Sequence, residues 1–137
     1  MDRVFLDANV IVSAALKPDS RLADLWHMKG VRLLASPHVV AEARRNVIEP
    51  AAVARLESLV DAMAILPREP ADFEIAGDPG LPAKDRPVLL AAIVSGADYL
   101  LTGDLSHFAG CVSKPVAGVR TMLPGEYLRM RAADRRR

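Results

Sequence analysis

Four acidic residues interrupt or end apolar stretches of the chain: Asp7, Glu42, Asp85 and Asp104. Asp7 ends the strand-like VFLD, and Asp104 ends YLLTGD in the same way. Two carboxylates about 5 Å apart repel by roughly 3 kcal/mol at an effective dielectric constant near ~20, so a cluster of them needs a cation. Oxygen ligands suit Mg²⁺ or Mn²⁺, which lower the pKa of bound water and stabilise charge on phosphorus. If the four acids meet, the chemistry they predict is phosphodiester hydrolysis.

The sequence offers no ligand set for structural zinc. It has one cysteine, Cys111, and its histidines at 27, 38 and 107 lack any structural zinc spacing. The acids therefore favour a hard divalent ion over zinc. His107 lies three residues after Asp104 and could approach the site, although a structural hydrogen bond is the favoured interpretation.

Strand-like and helix-like segments alternate along the chain and must position these acids. Strands are predicted at 4–6, 31–35, 65–66, 99–102 and 119–122. Helices are predicted at 10–16, 20–28, from Pro37 onward, 51–64, 83–95 and 124–130. Ser36 is the expected N-cap before Pro37, and Gly96 the expected stop after 83–95. This alternation predicts an α/β fold, a three-layer α/β/α sandwich with a mainly parallel sheet of about five strands.

Such a sheet binds ligands beyond the carboxyl ends of its strands, at the point where the strand order reverses. Asp7 and Asp104 each follow a strand, so they meet there if the first and fourth strands are neighbours. Glu42 lies a little over one turn into its helix, and Asp85 lies in the first turn of the next long apolar helix. Both helices follow crossovers, so their first turns can approach the same crevice. The sequence therefore predicts that the four acids converge.

Each acid also has a purely structural interpretation. Asp7 and Asp104 could cap the helical turns that follow them. Glu42 could be a solvated residue paired with Arg45 or Asn46. Asp85 could stabilise a helix N-terminus through the macrodipole. The equivalent positions of Asp7 and Asp104 at two strand ends favour a shared site for that pair.

Length and composition set further limits. The chain has 137 residues, 51% of them hydrophobic, which fits a single domain over residues 1–137 with a sizeable core. Eighteen basic and 17 acidic residues leave a net charge of +1, so overall charge argues neither for nor against a polyanionic partner. One cysteine cannot form an internal disulfide, and no apolar stretch reaches the roughly 20 residues that cross a bilayer. These features predict a cytoplasmic protein with no membrane partner.

Basic residues flank the acids and bear on the substrate. Arg44, Arg45, Lys84 and Arg86 adjoin members of the acidic set and could contact the phosphates of a nucleic-acid backbone. Ion pairing or plain solvation accounts for them equally well. The C-terminal tail, residues 129–137, carries five arginines and is predicted to be frayed, either as an RNA-binding arm or as a solubilising terminus.

Four motifs follow one another along the chain: FLDANVIVSA, VVAEARRNV, KDRPVLLAAIVSGADYLLTGDLSHF and VRTMLPGEYL. In this order they resemble the PIN-domain family, whose members include the ribonuclease toxins of bacterial toxin–antitoxin pairs. The resemblance implies a PIN-like fold and an endoribonuclease that depends on Mg²⁺ or Mn²⁺. It assigns metal binding and catalysis to Asp7, Glu42, Asp85 and Asp104. It gives Asn9 and Thr102 supporting roles, in which they orient carboxylates or water through hydrogen bonds.

The resemblance further implies an RNA substrate, a small antitoxin that occupies the acidic groove, and a homodimer. Three other functions stay open. A housekeeping RNA-processing nuclease would carry the same residues, and a non-catalytic PIN domain would bind RNA or protein without cutting. A phosphoacceptor domain would use Asp7 as its nucleophile, but the motif DAN lacks the second aspartate expected of such a domain.

Overall fold

The computed structural model describes residues 1–112 and 114–135. At their centre lie five strands: β1 (Asp2–Leu6), β2 (Val31–Ala35), β3 (Ala64–Ile65), β4 (Tyr99–Leu101) and β5 (Arg120–Met122). They form one sheet in the order β3-β2-β1-β4-β5, and every neighbouring pair is parallel. The five predicted strands and their parallel arrangement are confirmed, with bounds that differ by one or two residues.

The central strand β1 shows why the sheet is buried on both faces. Val4, Phe5 and Leu6 are fully inaccessible to solvent. A continuous apolar run of this kind is typical of a parallel strand covered by helices on both sides. β1 pairs with β2 on one side, and on the other side Leu6 lies opposite Leu101 of β4. The first and fourth strands are therefore neighbours, as the convergence of the acids requires.

The α-helices among the described residues are α1 (Ala8–Leu16), α2 (Pro37–Arg45), α3 (Pro50–Asp61), α4 (Arg86–Val94), α5 (Ala109–Val112) and α6 (Pro124–Arg135). Local sequence explains the ends of several of them. The Ser36 hydroxyl accepts a hydrogen bond from the Val39 N–H, and Pro37 occupies the first turn of α2. After α4, Gly96 adopts a φ of 68°, the left-handed conformation that ends helices.

Three helix predictions need correction. Residues 21–27 form a 3₁₀ helix rather than an α-helix. The helix predicted at 83–95 begins only at Arg86, because Pro87 within a helix started at residue 83 would clash with a carbonyl one turn back. Asp85 is therefore the N-cap residue of α4 and not part of its first turn. The helix predicted at 51–64 ends at Asp61, since Ala64 pairs with β2 as the start of β3.

The C-terminal helix α6 extends further than the sequence indicated. It continues to Arg135, through most of the 129–137 segment that was expected to fray. Tyr127 is fully buried and donates its hydroxyl to Asp2, and Arg131 reaches both Asp2 and the carbonyl of Lys29. These contacts anchor the helix to the start of β1. Residues 136 and 137 of the predicted tail lie outside the described residues.

The order of the strands creates the place for a site. The chain moves outward from β1 to β2 and β3, then crosses back to β4 and β5 on the other side of β1. Right-handed crossovers in these two directions place helices on opposite faces of the sheet, which gives the α/β/α arrangement predicted. The order reverses between β1 and β4, so their carboxyl ends border a crevice.

None of the helices in the described part of the chain combines the length and the apolarity needed to cross a membrane.

Candidate active site

Asp7 is the innermost acid of the crevice. Its Oδ1 accepts a hydrogen bond from the Ala8 N–H at 2.8 Å, so Asp7 caps α1. Its Oδ2 accepts a second bond from the Thr102 hydroxyl at 2.9 Å. Only 8% of the residue is exposed. Asp7 therefore does cap α1, as its structural interpretation proposed. Its carboxylate nevertheless lies at the crevice.

Thr102 and Asn9 tie the ends of β1 and β4 together. The buried Thr102 Oγ1 accepts hydrogen bonds from the Asp104 N–H at 3.2 Å and from Asn9 Nδ2 at 3.4 Å. Asn9 Oδ1 in turn accepts one from the Gly103 N–H at 2.8 Å. The network fixes the loop that carries Asp104 relative to the carboxylate of Asp7. It is what a supporting role for Asn9 and Thr102 requires, and that role stays a prediction.

A cleft of about 610 Å³ opens beyond these strand ends, and we call it the acidic cleft. All four predicted acids line it: Asp7, Glu42, Asp85 and Asp104. Glu42 comes from α2 and Asp85 from the residue that precedes α4. Asn46 donates to the backbone carbonyl of Glu42 and not to its carboxylate. The fold thus brings together four acids that lie far apart in the sequence, while their roles in metal binding and catalysis remain predictions.

His107 lies close to two of the acids. Its Nδ1 lies 3.2 Å from Asp104 Oδ2 and 3.5 Å from Asp85 Oδ2. Asp104 is also held by Ser106, whose hydroxyl donates to Asp104 Oδ1 at 2.5 Å. The sequence left open whether His107 approaches the site, and the 3₁₀ turn Leu105–Phe108 places it at the wall of the acidic cleft.

The acids differ in electrostatic environment. Burial raises the pKa of Asp7, and the negative charges of Glu42 and Asp85 raise it further, against the hydrogen bonds from Thr102 and Ala8. The Ser106 hydroxyl lowers the pKa of Asp104, and His107 adds to that effect. Asp7 therefore ionises against a penalty that a nearby cation would relieve, whereas Asp104 ionises readily.

The four acids do not form a ready-made ligand set. Within residues 1–112 and 114–135, no three His, Cys, Asp or Glu side chains are placed to share one metal ion. The chemistry of the cleft still fits a hard cation, because its clustered ligands are carboxylate oxygens. Asp85 Oδ2 is buried and has no hydrogen-bond partner in the described part of the chain, since the contact to His107 is too long. An unsatisfied buried carboxylate oxygen is unfavourable without a cation nearby.

The predicted RNA-contacting residues fall into two groups. Arg45 and Lys84 line the acidic cleft and are exposed. Arg44 instead forms an ion pair with Glu57 at 2.7 Å. Arg86 is paired with Asp72 and Asp78 and is not among the residues that line this cleft. The ion-pair interpretation thus describes Arg44 and Arg86, because both guanidinium groups reach carboxylates on neighbouring segments.

Sequence reasoning did not assign further polar residues that line the cleft, among them His38 and Ser13. His38 is the second residue of α2, directly beyond the carboxyl end of β2, and this position was a usable signal. Ser13 lies one helical turn after Asn9 on α1, a spacing that puts both on one face. Neither residue is an acid, so the pattern of carboxylates in the sequence does not include them.

Comparison with known families adds an independent finding. A family model described as the PIN domain matches residues 3–106 of the chain. The matched range contains all four acids, Asn9, Thr102 and the strands β1 to β4 that position them. PIN domains are generally nucleases and usually bind divalent metal ions. No curated protein matches the chain.

Proposed function

The chain belongs to the PIN-domain family, and from that premise we propose that it is a metal-dependent endoribonuclease that hydrolyses RNA phosphodiester bonds. The observation that carries the proposal is the convergence of Asp7, Glu42, Asp85 and Asp104 on one cleft at the switch point of the sheet. Four carboxylates in a crevice repel one another and the phosphate alike unless a cation is bound. A cleft of this kind suits phosphoryl chemistry on a metal and suits few other reactions.

The proposed cofactor is Mg²⁺ or Mn²⁺, held by Asp7, Asp85 and Asp104 with Glu42 completing the set. Such an ion, when bound, lowers the pKa of a water molecule and stabilises the charge that develops on phosphorus. The protein contributes the positions of the ligands. Thr102 and the Ala8 N–H hold both oxygens of Asp7, and Ser106 holds one oxygen of Asp104.

The substrate backbone is the proposed partner of the exposed cations of the cleft. Arg45 and Lys84 both line the cleft and come from different elements, Arg45 from α2 and Lys84 from the segment just before α4. Phosphates that approach the acids meet these charges, which offset the repulsion from the carboxylates. Lys84 adjoins Asp85, so it can bind a phosphate next to the one that reacts.

We further propose that the chain is the toxin of a bacterial toxin–antitoxin pair, that a small antitoxin occupies the acidic cleft, and that two copies associate. The support for this is the resemblance of the four sequence motifs to ribonuclease toxins. An RNA substrate and a single cysteine, Cys111, suit action in the cytoplasm. Co-purification of the chain with the product of a neighbouring gene would test the pairing directly.

The decisive experiment is cleavage of a mixed RNA pool in Mn²⁺, in Mg²⁺ and in EDTA. We expect metal-dependent cleavage by the wild type and a loss of more than about 100-fold in Asp104→Asn, since even residues that only orient metal ligands contribute about 10- to 100-fold. Asp98→Asn is the matched control. Asp98 lies at the opposite end of β4, where its carboxylate accepts the Arg3 N–H far from the cleft.

A second candidate function is a non-catalytic PIN domain that binds RNA. It is favoured by the finding that no three potential ligands in the described residues share a position for one metal. Equal RNA binding in Mg²⁺ and in EDTA, with no cleavage by a folded wild type under either metal, would establish this candidate and reject the nuclease.

A further inference from the structure

A second cavity of about 390 Å³ opens beside the acidic cleft, and we call it the side pocket. His38 and Pro87 border both cavities, so the two are contiguous. Its volume lies within the range of roughly 300–1,000 Å³ that is usual for small-molecule sites. A group attached to a chain in the acidic cleft can therefore enter the side pocket without leaving the protein surface.

The walls of the side pocket combine apolar and polar residues. Pro70, Pro87 and Leu90 supply apolar surface, while Glu69, Asp72 and Arg86 supply polar atoms. The chain has only 4% aromatic residues. A flat ring of a bound molecule would therefore pack on proline and leucine side chains in this pocket. Apolar faces with polar groups at the edge match the shape of a nucleobase, which has two flat faces and a hydrogen-bonding rim.

The charge of the side pocket argues against a phosphate as its occupant. Arg86 donates from Nε to Asp72 at 3.0 Å and from Nη1 to Asp78 at 2.8 Å, and it donates from Nη2 to the Phe73 carbonyl at 2.7 Å. Its positive charge is therefore matched by two carboxylates. Glu69 adds a further acid that no described basic side chain pairs with. The acidic cleft, by contrast, has Arg45 and Lys84 at its border.

Glu69 is also fixed in place. Its Oε1 accepts a hydrogen bond from the backbone N–H of His38 at 2.7 Å, which ties the segment around Glu69 to the first turn of α2. A carboxylate accepts hydrogen bonds and donates none when ionised. A base that meets Glu69 must therefore present a donor. The amino groups of cytosine, adenine and guanine are such donors. Uracil has a carbonyl in the place of the amino group of cytosine, and its one base N–H donor, at N3, lies between two carbonyl oxygens that repel a carboxylate.

From these observations we infer that the side pocket binds the base of a nucleotide next to the scissile phosphate and selects amino-bearing bases over uracil through Glu69. This inference rests on the proposed function for the identity of the strand in the acidic cleft. The ion pairs of Arg86 hold Asp72 and the segment 72–78 against α4, so they set the width of the pocket. Arg86 is then a positioning residue, in line with the ion-pair alternative that the sequence left open for it.

The test compares binding of two RNA hexamers, all cytidine and all uridine, which carry the same number of phosphates. Fluorescence anisotropy with the Asp104→Asn protein avoids cleavage during the measurement. We expect binding to the cytidine hexamer to be tighter by about fivefold or more, the lower end of the discrimination seen for good base contacts. Glu69→Gln keeps an oxygen for the His38 N–H and turns an amide NH₂ toward the base. It should therefore shrink or invert the preference.

Glu74→Ala is the matched control, because Glu74 is an exposed acid of the same segment that does not line the side pocket. It should leave the preference intact. Equal binding of the two hexamers, a preference that Glu69→Gln does not change, or no binding of either hexamer at low salt would each overturn the inference.

Cleavage by the wild type separates this inference from the proposed function. Metal-dependent cleavage of the RNA pool together with equal binding of the two hexamers would reject base selection by the side pocket. The proposed nuclease function would then still hold. A preference that depends on Glu69, together with no cleavage in any metal, rejects the nuclease and leaves an RNA-binding domain with a base-selective pocket.

Discussion

Substitution of Thr102 by valine tests the hydrogen-bond network at the centre of the site. Valine keeps the shape of the side chain and removes only the hydroxyl. Thr102 is fully buried, so no solvent water replaces the lost group easily. The Asp7 carboxylate loses the donor to its Oδ2, and the Asp104 N–H loses its acceptor. We expect the variant to fold with the same structure and with lower stability.

The size of the effect follows from the charge of Asp7. A hydrogen bond to an ionised group contributes about 1.5–3 kcal/mol, whereas one between neutral groups contributes about 0.5–1.5 kcal/mol. Thr102→Val should therefore lower the free energy of unfolding by about 1.5–3 kcal/mol at a pH above the raised pKa of Asp7, where the carboxylate is ionised. The loss should shrink to about 0.5–1.5 kcal/mol near pH ~3, below the ordinary pKa of an aspartate, where the carboxyl is neutral.

Urea unfolding of the metal-free protein, followed by circular dichroism at both pH values, measures these losses. Thr121→Val is the matched control. Thr121, in β5, is also buried, and its hydroxyl has no oxygen or nitrogen partner among the described residues, with only the weakly bonding Cys111 thiol near it. The control should change the free energy of unfolding by less than about 0.5 kcal/mol.

Two results would refute the reasoning about Thr102. One is a loss no larger than that of the Thr121 control, which would mean that the network contributes nothing. The other is a loss that does not depend on pH, which would mean that the charge of Asp7 does not strengthen the bond. Activity gives a separate reading, since loss of a residue that orients a metal ligand should lower cleavage by about 10- to 100-fold.

Three further predictions follow from the same site. Because burial raises the pKa of Asp7, the native state holds its proton to higher pH than the unfolded state does, so the free energy of unfolding of the metal-free protein should fall as pH rises through that raised value. Asp7→Asn should flatten this fall in a series of urea titrations, and an unchanged slope would show that another group causes it. Addition of Mn²⁺ should raise the melting temperature of the wild type more at pH ~8 than at pH ~5, because binding requires ionised carboxylates, and Asp85→Asn should weaken that response. Arg86→Gln should make the segment 70–82 cleave faster in limited proteolysis with the core intact, whereas cleavage at the wild-type rate would mean that the Arg86 ion pairs do not hold the segment.

Local sequence was sufficient wherever a signal lies within one turn of chain. Ser36 followed by Pro37 fixed the start of α2, because the cap and the first helical residue are chemically specified. Apolar runs such as Val4 to Leu6 marked the strands, since buried parallel strands need no alternation. The α/β class and the crevice followed from their alternation, because the handedness of crossovers leaves few other arrangements.

Local patterns were insufficient where distant segments decide the outcome. The last helix continues past its predicted end at Met130, and Arg131 in this extension contacts Asp2, 129 residues earlier in the chain. The sequence left Arg86 as either a phosphate contact or an ion-pair partner, and the structure pairs it with Asp72 and Asp78 on another segment. The sequence also left the place of His107 open, and a single 3₁₀ turn brings it against two acids.

The sequence by itself determined the types of residue available for chemistry and the order of the elements that carry them. Acids at the ends of strands can be recognised one at a time, because each is defined by its immediate neighbours. Only the tertiary structure decided which side chains share a cleft and which charges are already paired. Those outcomes depend on distances between segments many residues apart, and the pairing of β1 with β4 sets those distances. Local patterns do not encode these distances. The same arginine contacts a phosphate or forms an ion pair, depending on the group that the fold places opposite it.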